Sequence, residues 1–256
     1  QLVWICDLNQ KKLSEIASEI KDVKQTQNDE DVLNDPDIDL ICIASHDEAH
    51  HKQVLKALEN GKHVYVEKPL CLKKNEAKEI RDKLKSNSNL RISSNMVLRT
   101  CPLFVKVREN VEKNALGKIY NIEADYLWGR KEKLISGWRA EANFYSVIHG
   151  ASVHMIDLVN WIVGKKPINV QAFGNKIVTY GSQQKYNDFA SILLGYEDQM
   201  IVKISAHGGC VHPHFHSLKV FGENSTFIHE TTGTVWVNSS DPNESFKIEK
   251  ASYPSK

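Results

Sequence analysis

The first half of the chain alternates short apolar runs with segments of helical period. Residues 2–7 read Leu-Val-Trp-Ile-Cys-Asp, an unbroken apolar run ending in an acid, which predicts a parallel strand buried on both faces. Leu13, Ile16, Ala17 and Ile20 recur at helical spacing over residues 11–20, and residues 29–33 predict a second, short helix. After the turn Asp35-Pro36-Asp37 comes a buried strand at 38–44, then a helix over 52–60 with Val54, Leu55 and Leu58 on its apolar face. Gly61 closes that helix. Residues 63–66 predict the next buried strand, 73–85 an amphipathic helix and 90–94 a further strand. Such alternation predicts an α/β fold with a doubly wound parallel sheet and right-handed connections.

The pattern changes after residue 97, which places one domain at 1–97 and a second at 98–256. Helices at 103–113 and 145–163 flank a strand at 119–128, and strands follow at 170–173, 190–194, 200–206 and 218–221. Short turns such as Tyr196-Glu197-Asp198 join the later strands, which predicts an α+β domain on a largely antiparallel sheet with one open face.

Composition narrows the function classes. The chain has 256 residues, of which 41% are hydrophobic and 25% charged, enough apolar content for one or two cores. Lys and Arg total 33 against 32 Asp and Glu, so the net charge of +1 supplies no attraction toward nucleic acid or an anionic membrane. Cys6, Cys42, Cys71, Cys101 and Cys210 form no CxxC pair, and Cys6 and Cys42 fall in apolar strand patterns as small hydrophobes. Reduced thiols and a cytoplasmic location are expected. No apolar run approaches the roughly 20 residues needed to span a bilayer.

Chemistry concentrates first in Gly61-Lys62-His63-Val64-Tyr65-Val66-Glu67-Lys68-Pro69-Leu70, a strand running into a Glu-Lys-Pro turn. Lys68 at the carboxyl end of a parallel strand stands where open α/β sheets bind ligands. A solvated strand end accounts for the same residues. Asp7 reads in the same two ways, as a ligand-facing acid or as a helix cap.

Together with Ile41-Cys42-Ile43-Ala44-Ser45-His46-Asp47-Glu48-Ala49-His50 and the helix after it, this unit resembles the family of glucose-fructose oxidoreductase and myo-inositol dehydrogenase. The resemblance implies a Rossmann-type domain in which Asp7 meets the adenosine ribose of NAD and Ser45, His50, Glu67, Lys68 and Pro69 line the cofactor. Leu8 stands where an arginine could meet a 2′-phosphate, which favours NAD over NADP. His50 precedes Lys68 by the family's interval, whereas Ser45-His46-Asp47 replaces its usual Thr-Pro-Asn. Asn95-Met96-Val97-Leu98-Arg99 resembles the family's Asn-x-x-x-Arg segment. The first strand with its glycine loop is expected to precede this numbering and closing elements to follow it, so this segment alone is expected to bind NAD poorly.

Gly137-Trp138-Arg139 and His149-Gly150-Ala151-Ser152-Val153-His154-Met155-Ile156-Asp157 carry the second part of the resemblance. The family places a Trp-Arg pair there, then an acid, a histidine four residues later and an acid three beyond. His154 and Asp157 match, but Gly150 stands in place of the first acid. His149 is adjacent, yet one helical residue is a rotation of about 100°.

The resemblance implies hydride transfer between a nicotinamide and a secondary alcohol of a sugar, sugar derivative or cyclic polyol, in a homo-dimer or homo-tetramer formed on the open sheet. His154 would take the hydroxyl proton, and Lys68 would hold the same oxygen. A core histidine accounts for His154 as well. Arg99, Trp138, Arg139 and His149 are candidate substrate contacts, with interdomain packing as the other account of the first three. A silent nucleotide- or sugar-binding regulator and an NAD-dependent glycosidase stay open.

One cluster stands apart. In Cys210-Val211-His212-Pro213-His214-Phe215-His216, an extended chain puts Cys210, His212, His214 and His216 on one face. Same-face neighbours are about 6.6 Å apart, so four do not converge on one ion, and a strand lining a cleft or subunit interface is expected rather than a metal site.

Overall fold

Parallel strands carry the first unit, Gln1–Asn95, of the computed structural model, which describes residues 1–241, 243–244 and 246–253. Its order is β1 (Trp4–Cys6), α1 (Gln10–Glu19), β2 (Lys24–Thr26), α2 (Asp29–Leu33), β3 (Leu40–Ile43), α3 (Asp47–Glu59), β4 (His63–Val66), α4 (Lys74–Ser86) and β5 (Ile92–Ser94). β1 pairs with β2, and β4 lies between β3 and β5, every pairing being parallel. Val54, Ala57 and Leu58 of α3 and Ile80 of α4 share one core with Ile41, Ile43, Val64 and Val66.

Three expectations for this unit need correction. Residues 2–7 are not buried on both faces: Trp4 and Ile5 are half-buried and Cys6 is exposed. Cys42 is exposed too, because β3 alternates, with Ile41 and Ile43 turned to the core and Leu40 and Cys42 away from it. The same alternation leaves Tyr65 exposed in β4, whose run was expected to be buried. Two-residue periodicity decides this, and an all-apolar run hides it. β2 escapes the sequence pattern altogether, since Lys-Gln-Thr pairs through its backbone and buries little.

The second unit begins at Met96. It comprises α5 (Pro102–Glu112), β6 (Ile119–Leu127), the short α6 (Glu132–Ile135) and α7 (Trp138–Glu141), and α8 (Val153–Val163). Then come β7 (Asn169–Asn175), β8 (Phe189–Gly195), β9 (Ile201–His207), β10 (Phe215–Gly222), β11 (Thr226–Glu230), β12 (Gly233–Val237) and β13 (Lys247–Ile248). These strands form one sheet in the order β13-β12-β11-β10-β6-β9-β8-β7, antiparallel except where β6 meets β9. Leu103, Phe104 and Val107 of α5 and Met155, Leu158 and Val159 of α8 pack on Ile122, Ala124, Ile204 and Leu218. On the opposite face Phe173, Leu193 and Ile201 are exposed.

The helix expected over 145–163 is not uniform. A wide π turn, Ile148–Ser152, precedes α8, so α-helical spacing does not describe residues upstream of Val153.

Candidate functional site

In the first unit, polar groups gather at the carboxyl ends of the parallel strands. Asp7 follows β1; its backbone N–H donates to Thr26 O at 3.3 Å and its Oδ1 accepts from Asn9 N at 2.8 Å. Ser45 follows β3 and donates from Oγ to Gln53 Oε1 at 2.6 Å. Glu67, Lys68 and Pro69 follow β4. Tyr65 donates to Asn95 Oδ1 at 2.7 Å, and Asn95 Nδ2 donates to Glu67 Oε1 at 2.6 Å, so the carboxylate is aimed by a chain of hydrogen bonds. Its other oxygen receives the Lys68 N–H at 3.3 Å.

His50 lies beneath this edge, wholly buried on α3. Its Nδ1 is 2.7 Å from Pro69 O and its Nε2 is 3.0 Å from Ser45 O. The ring thus ties the turn after β4 to the loop after β3, and it supports their backbone from below.

The second unit builds its site from rings. Tyr126 of β6 is central: His154 of α8 stacks on it at 5.7 Å with 7° between planes. His216 and His214 meet it edge-on at 4.6 and 5.2 Å, and His214 Nε2 is 3.0 Å from the Tyr126 hydroxyl. Behind them the Tyr253 hydroxyl is 2.6 Å from His216 Nδ1 and accepts the His216 backbone N–H at 3.1 Å.

Burial sets the electrostatics of this cluster. It pushes the Tyr126 and Tyr253 phenols up to about 12. Burial, and then the neighbouring His214, His154 and His229, hold His216 down to about 2, and burial holds His229 down to about 4. Near neutral pH these four groups carry hydrogen-bonding capacity without charge.

The remaining candidates divide. Arg99 is committed to Asp157, with Nε to Oδ2 at 2.7 Å and Nη2 to Oδ1 at 2.5 Å, so its fork is already filled. Arg139 instead lies among rings, its guanidinium carbon 4.4 Å from the Trp138 ring, 5.5 Å from Tyr145 and 5.7 Å from Trp128. His149, on the π turn, meets Phe144 edge-on at 5.1 Å. At Gly150 a Cβ would come within 2.3 Å of the Tyr145 hydroxyl, so a phenol fills the space where a larger residue's side chain would begin.

Residues 210–216 are not one extended strand. Only Phe215 and His216 belong to β10, and the preceding loop lies so close to Gly129 that a Cβ there would be 2.0 Å from His212 O. His212 therefore turns back to its own backbone, Nδ1 at 2.7 Å from Pro213 O, while His214 and His216 reach Tyr126. The sequence reading missed Tyr126, Tyr145 and Tyr253. The alternation of β6, which turns Ala124, Tyr126 and Trp128 to the buried side, was the available signal for the first.

The chain matches two family models, "Oxidoreductase family, NAD-binding Rossmann fold" over residues 1–95 and "GFO/IDH/MocA C-terminal domain" over residues 104–228. The chain belongs to the Gfo/Idh/MocA family. Among Gfo/Idh/MocA-like relatives, it is 27% identical over 164 residues to Oxidoreductase P35 of Formosa agariphila, covering 62% of this chain and 51% of that protein. It is 24% identical over 232 residues to scyllo-inositol 2-dehydrogenase (NAD(+)) of Bacillus subtilis, covering 89% and 66%. A levoglucosan dehydrogenase solved in complex with NADH has the same fold, with TM-score 0.86 and 19% identity over 96% of this chain and 70% of that one. The chain spans about half the length of several curated relatives it matches.

Proposed function

We propose that the protein is an NAD-dependent oxidoreductase acting on a secondary alcohol of a sugar or cyclic polyol. The observation that carries this reading is His154, buried yet fixed flat against Tyr126 inside a cluster of rings whose own titrations lie far from neutrality. Oxidising an alcohol requires a group that takes the hydroxyl proton, and an imidazole is suited to that near neutral pH. Tyr126 holds the ring plane of His154, and His214 holds the Tyr126 hydroxyl, so the base keeps one orientation.

The strand ends of the first unit suit a nicotinamide dinucleotide. Asp7 offers a carboxylate to ribose hydroxyls, and exposed Leu8 beside it offers no cation to a 2′-phosphate, which favours NAD over NADP. Ser45, Glu67 and Pro69 offer oxygen acceptors whose positions His50 and Asn95 fix. When bound, the nicotinamide supplies the hydride acceptor or donor. Lys68 contributes a cation that stabilises negative charge on the reacting oxygen. The names of relatives, among them inositol and levoglucosan dehydrogenases, support the substrate class. The exposed apolar residues Phe173, Leu193 and Ile201 on one face of the sheet support assembly into a dimer or tetramer. Five free thiols and the absence of a long apolar helix among the described residues fit work in the cytoplasm.

The test is a titration of the full-length protein with NADH, then absorbance at the reduced-nicotinamide band with NAD and a panel of sugars and inositols. Substrate-dependent reduction is expected. NADH binding with no turnover on any member would overturn the catalytic part and favour a regulator.

A further inference from the structure

Arg139 differs from the other engaged arginines of the second unit. Arg99 is paired with Asp157 and Arg108 with Glu112, whereas no carboxylate among the described residues pairs with Arg139. Its Nε is buried without a hydrogen-bond partner, sealed in by the rings of Trp128, Trp138 and Tyr145. Cation–π contact offsets part of the lost hydration, but rings do not satisfy the in-plane N–H donors of a guanidinium.

Arg130 and Arg139 both act on the Tyr126 phenol, and imidazoles act on His216. At position 150, one turn before His154, there is no side chain, and the Tyr145 hydroxyl lies there instead. A guanidinium set among three rings, with a buried Nε that has no hydrogen-bond partner, is a site that an anionic ligand would complete. A planar carboxylate meets a guanidinium edge through two parallel hydrogen bonds, which a hydroxyl cannot do.

We infer that the substrate of this site is an acidic sugar, such as a uronate or sugar acid, whose carboxylate docks on Arg139 while its ring lies against the neighbouring indoles. This rests on the sugar-oxidoreductase reading for the identity of the scaffold, but not on turnover.

Trp128 and Trp138 make the test direct, because their fluorescence reports on a ligand at Arg139 without cofactor. The full-length protein is titrated with D-glucuronate, D-glucose and glucose 6-phosphate at physiological salt. Glucuronate is expected to bind at least about tenfold more tightly than glucose, as one charge-assisted pair provides. Arg139→Met is expected to erase that preference, lowering glucuronate affinity at least about tenfold more than glucose affinity. Should Arg139→Met not fold, Arg139→Lys decides, since it keeps the charge and loses the fork and should lose most of the preference.

Equal affinities in the wild-type protein, or no detectable binding of any probe, would overturn the inference. So would a preference that survives in either variant that folds, and tighter binding of the phosphate would overturn the carboxylate assignment. The two readings fail separately. An Arg139-dependent preference without hydride transfer on any sugar removes only the oxidoreductase. Turnover of neutral sugars together with equal affinities for glucuronate and glucose removes only the acidic substrate.

Discussion

Two histidines, one in each unit, are buried to a similar degree and serve different ends. His50 has its ring nitrogens against the carbonyls of Ser45 and Pro69, and an imidazole N–H donated to a carbonyl there serves to hold backbone. His154 is held by its face, stacked on Tyr126 at 5.7 Å with 7° between the planes. The first unit therefore positions polar groups through main-chain ties at strand ends, and the second through ring-on-ring contact across β6, α8 and β10.

The sharpest way to break this contrast is to remove each ring. His154→Leu is expected to lower turnover by about 10²- to 10⁴-fold, the usual loss for a general base, with melting temperature nearly unchanged. Steady-state kinetics and calorimetry on one preparation check both halves. Turnover within a factor of a few of wild type would return His154 to the core. Lys68→Met is expected to lower kcat by about 10²- to 10³-fold, as removal of one electrostatic stabiliser does. Retained kcat in that variant would dismiss Lys68 from the chemistry.

The ring cluster also predicts an acid sensitivity. His216 and His229 have folded values near 2 and 4, below the ordinary 6.5, because burial disfavours their charged forms. Below pH 6.5 the unfolded chain binds protons that the folded cluster refuses, so stability is intact above that value and falls as the pH drops toward 4. The slope is about 1.4 kcal/mol per pH unit for each histidine. Denaturant melts between pH 7 and 4 should show it, and His216→Phe should remove roughly half of it. A flat profile would mean the cluster opens to water.

Smaller effects follow from packing. His50→Leu removes the imidazole N–H that a buried carbonyl accepts and is expected to destabilise the first unit by about 1–3 kcal/mol. Chemical melts would measure it, and a loss below the error would show that water replaces the ring. Gly150→Ala is expected to cost about 1–3 kcal/mol because the new methyl collides with Tyr145. Adding Tyr145→Phe removes the nearest atom, so the double variant should recover part of that loss, and additive losses would place the strain elsewhere.

Much of the first unit was legible from the chain. Apolar runs set between helical periods marked β3, α3, β4 and α4, and Glu67-Lys68-Pro69 announced a strand end because charges and a proline stop pairing. β2 was not legible, since Lys24-Gln25-Thr26 carries no apolar signal and is a strand only through its pairing to β1. In the second unit the alternation of β6, β8 and β9 gave the sheet, whereas the π turn before α8 defeated reasoning from α-helical spacing. The motif reading found His154 and Arg139, but it treated Arg99 as open when Asp157 already fills its fork.

By itself the sequence determined what local rules determine: the order of strands and helices, the turn that carries Lys68, and the family to which both motifs belong. These depend on periodicity and on neighbours along the chain, which a string of residues displays. Only the tertiary structure decided which rings meet. Tyr126, His154, His216 and Tyr253 lie far apart in the chain and touch because β10 pairs with β6 and α8 crosses the same face. The charge balance around Arg139 was decided there too, since whether an arginine has a carboxylate beside it depends on what folding brings within a few ångströms.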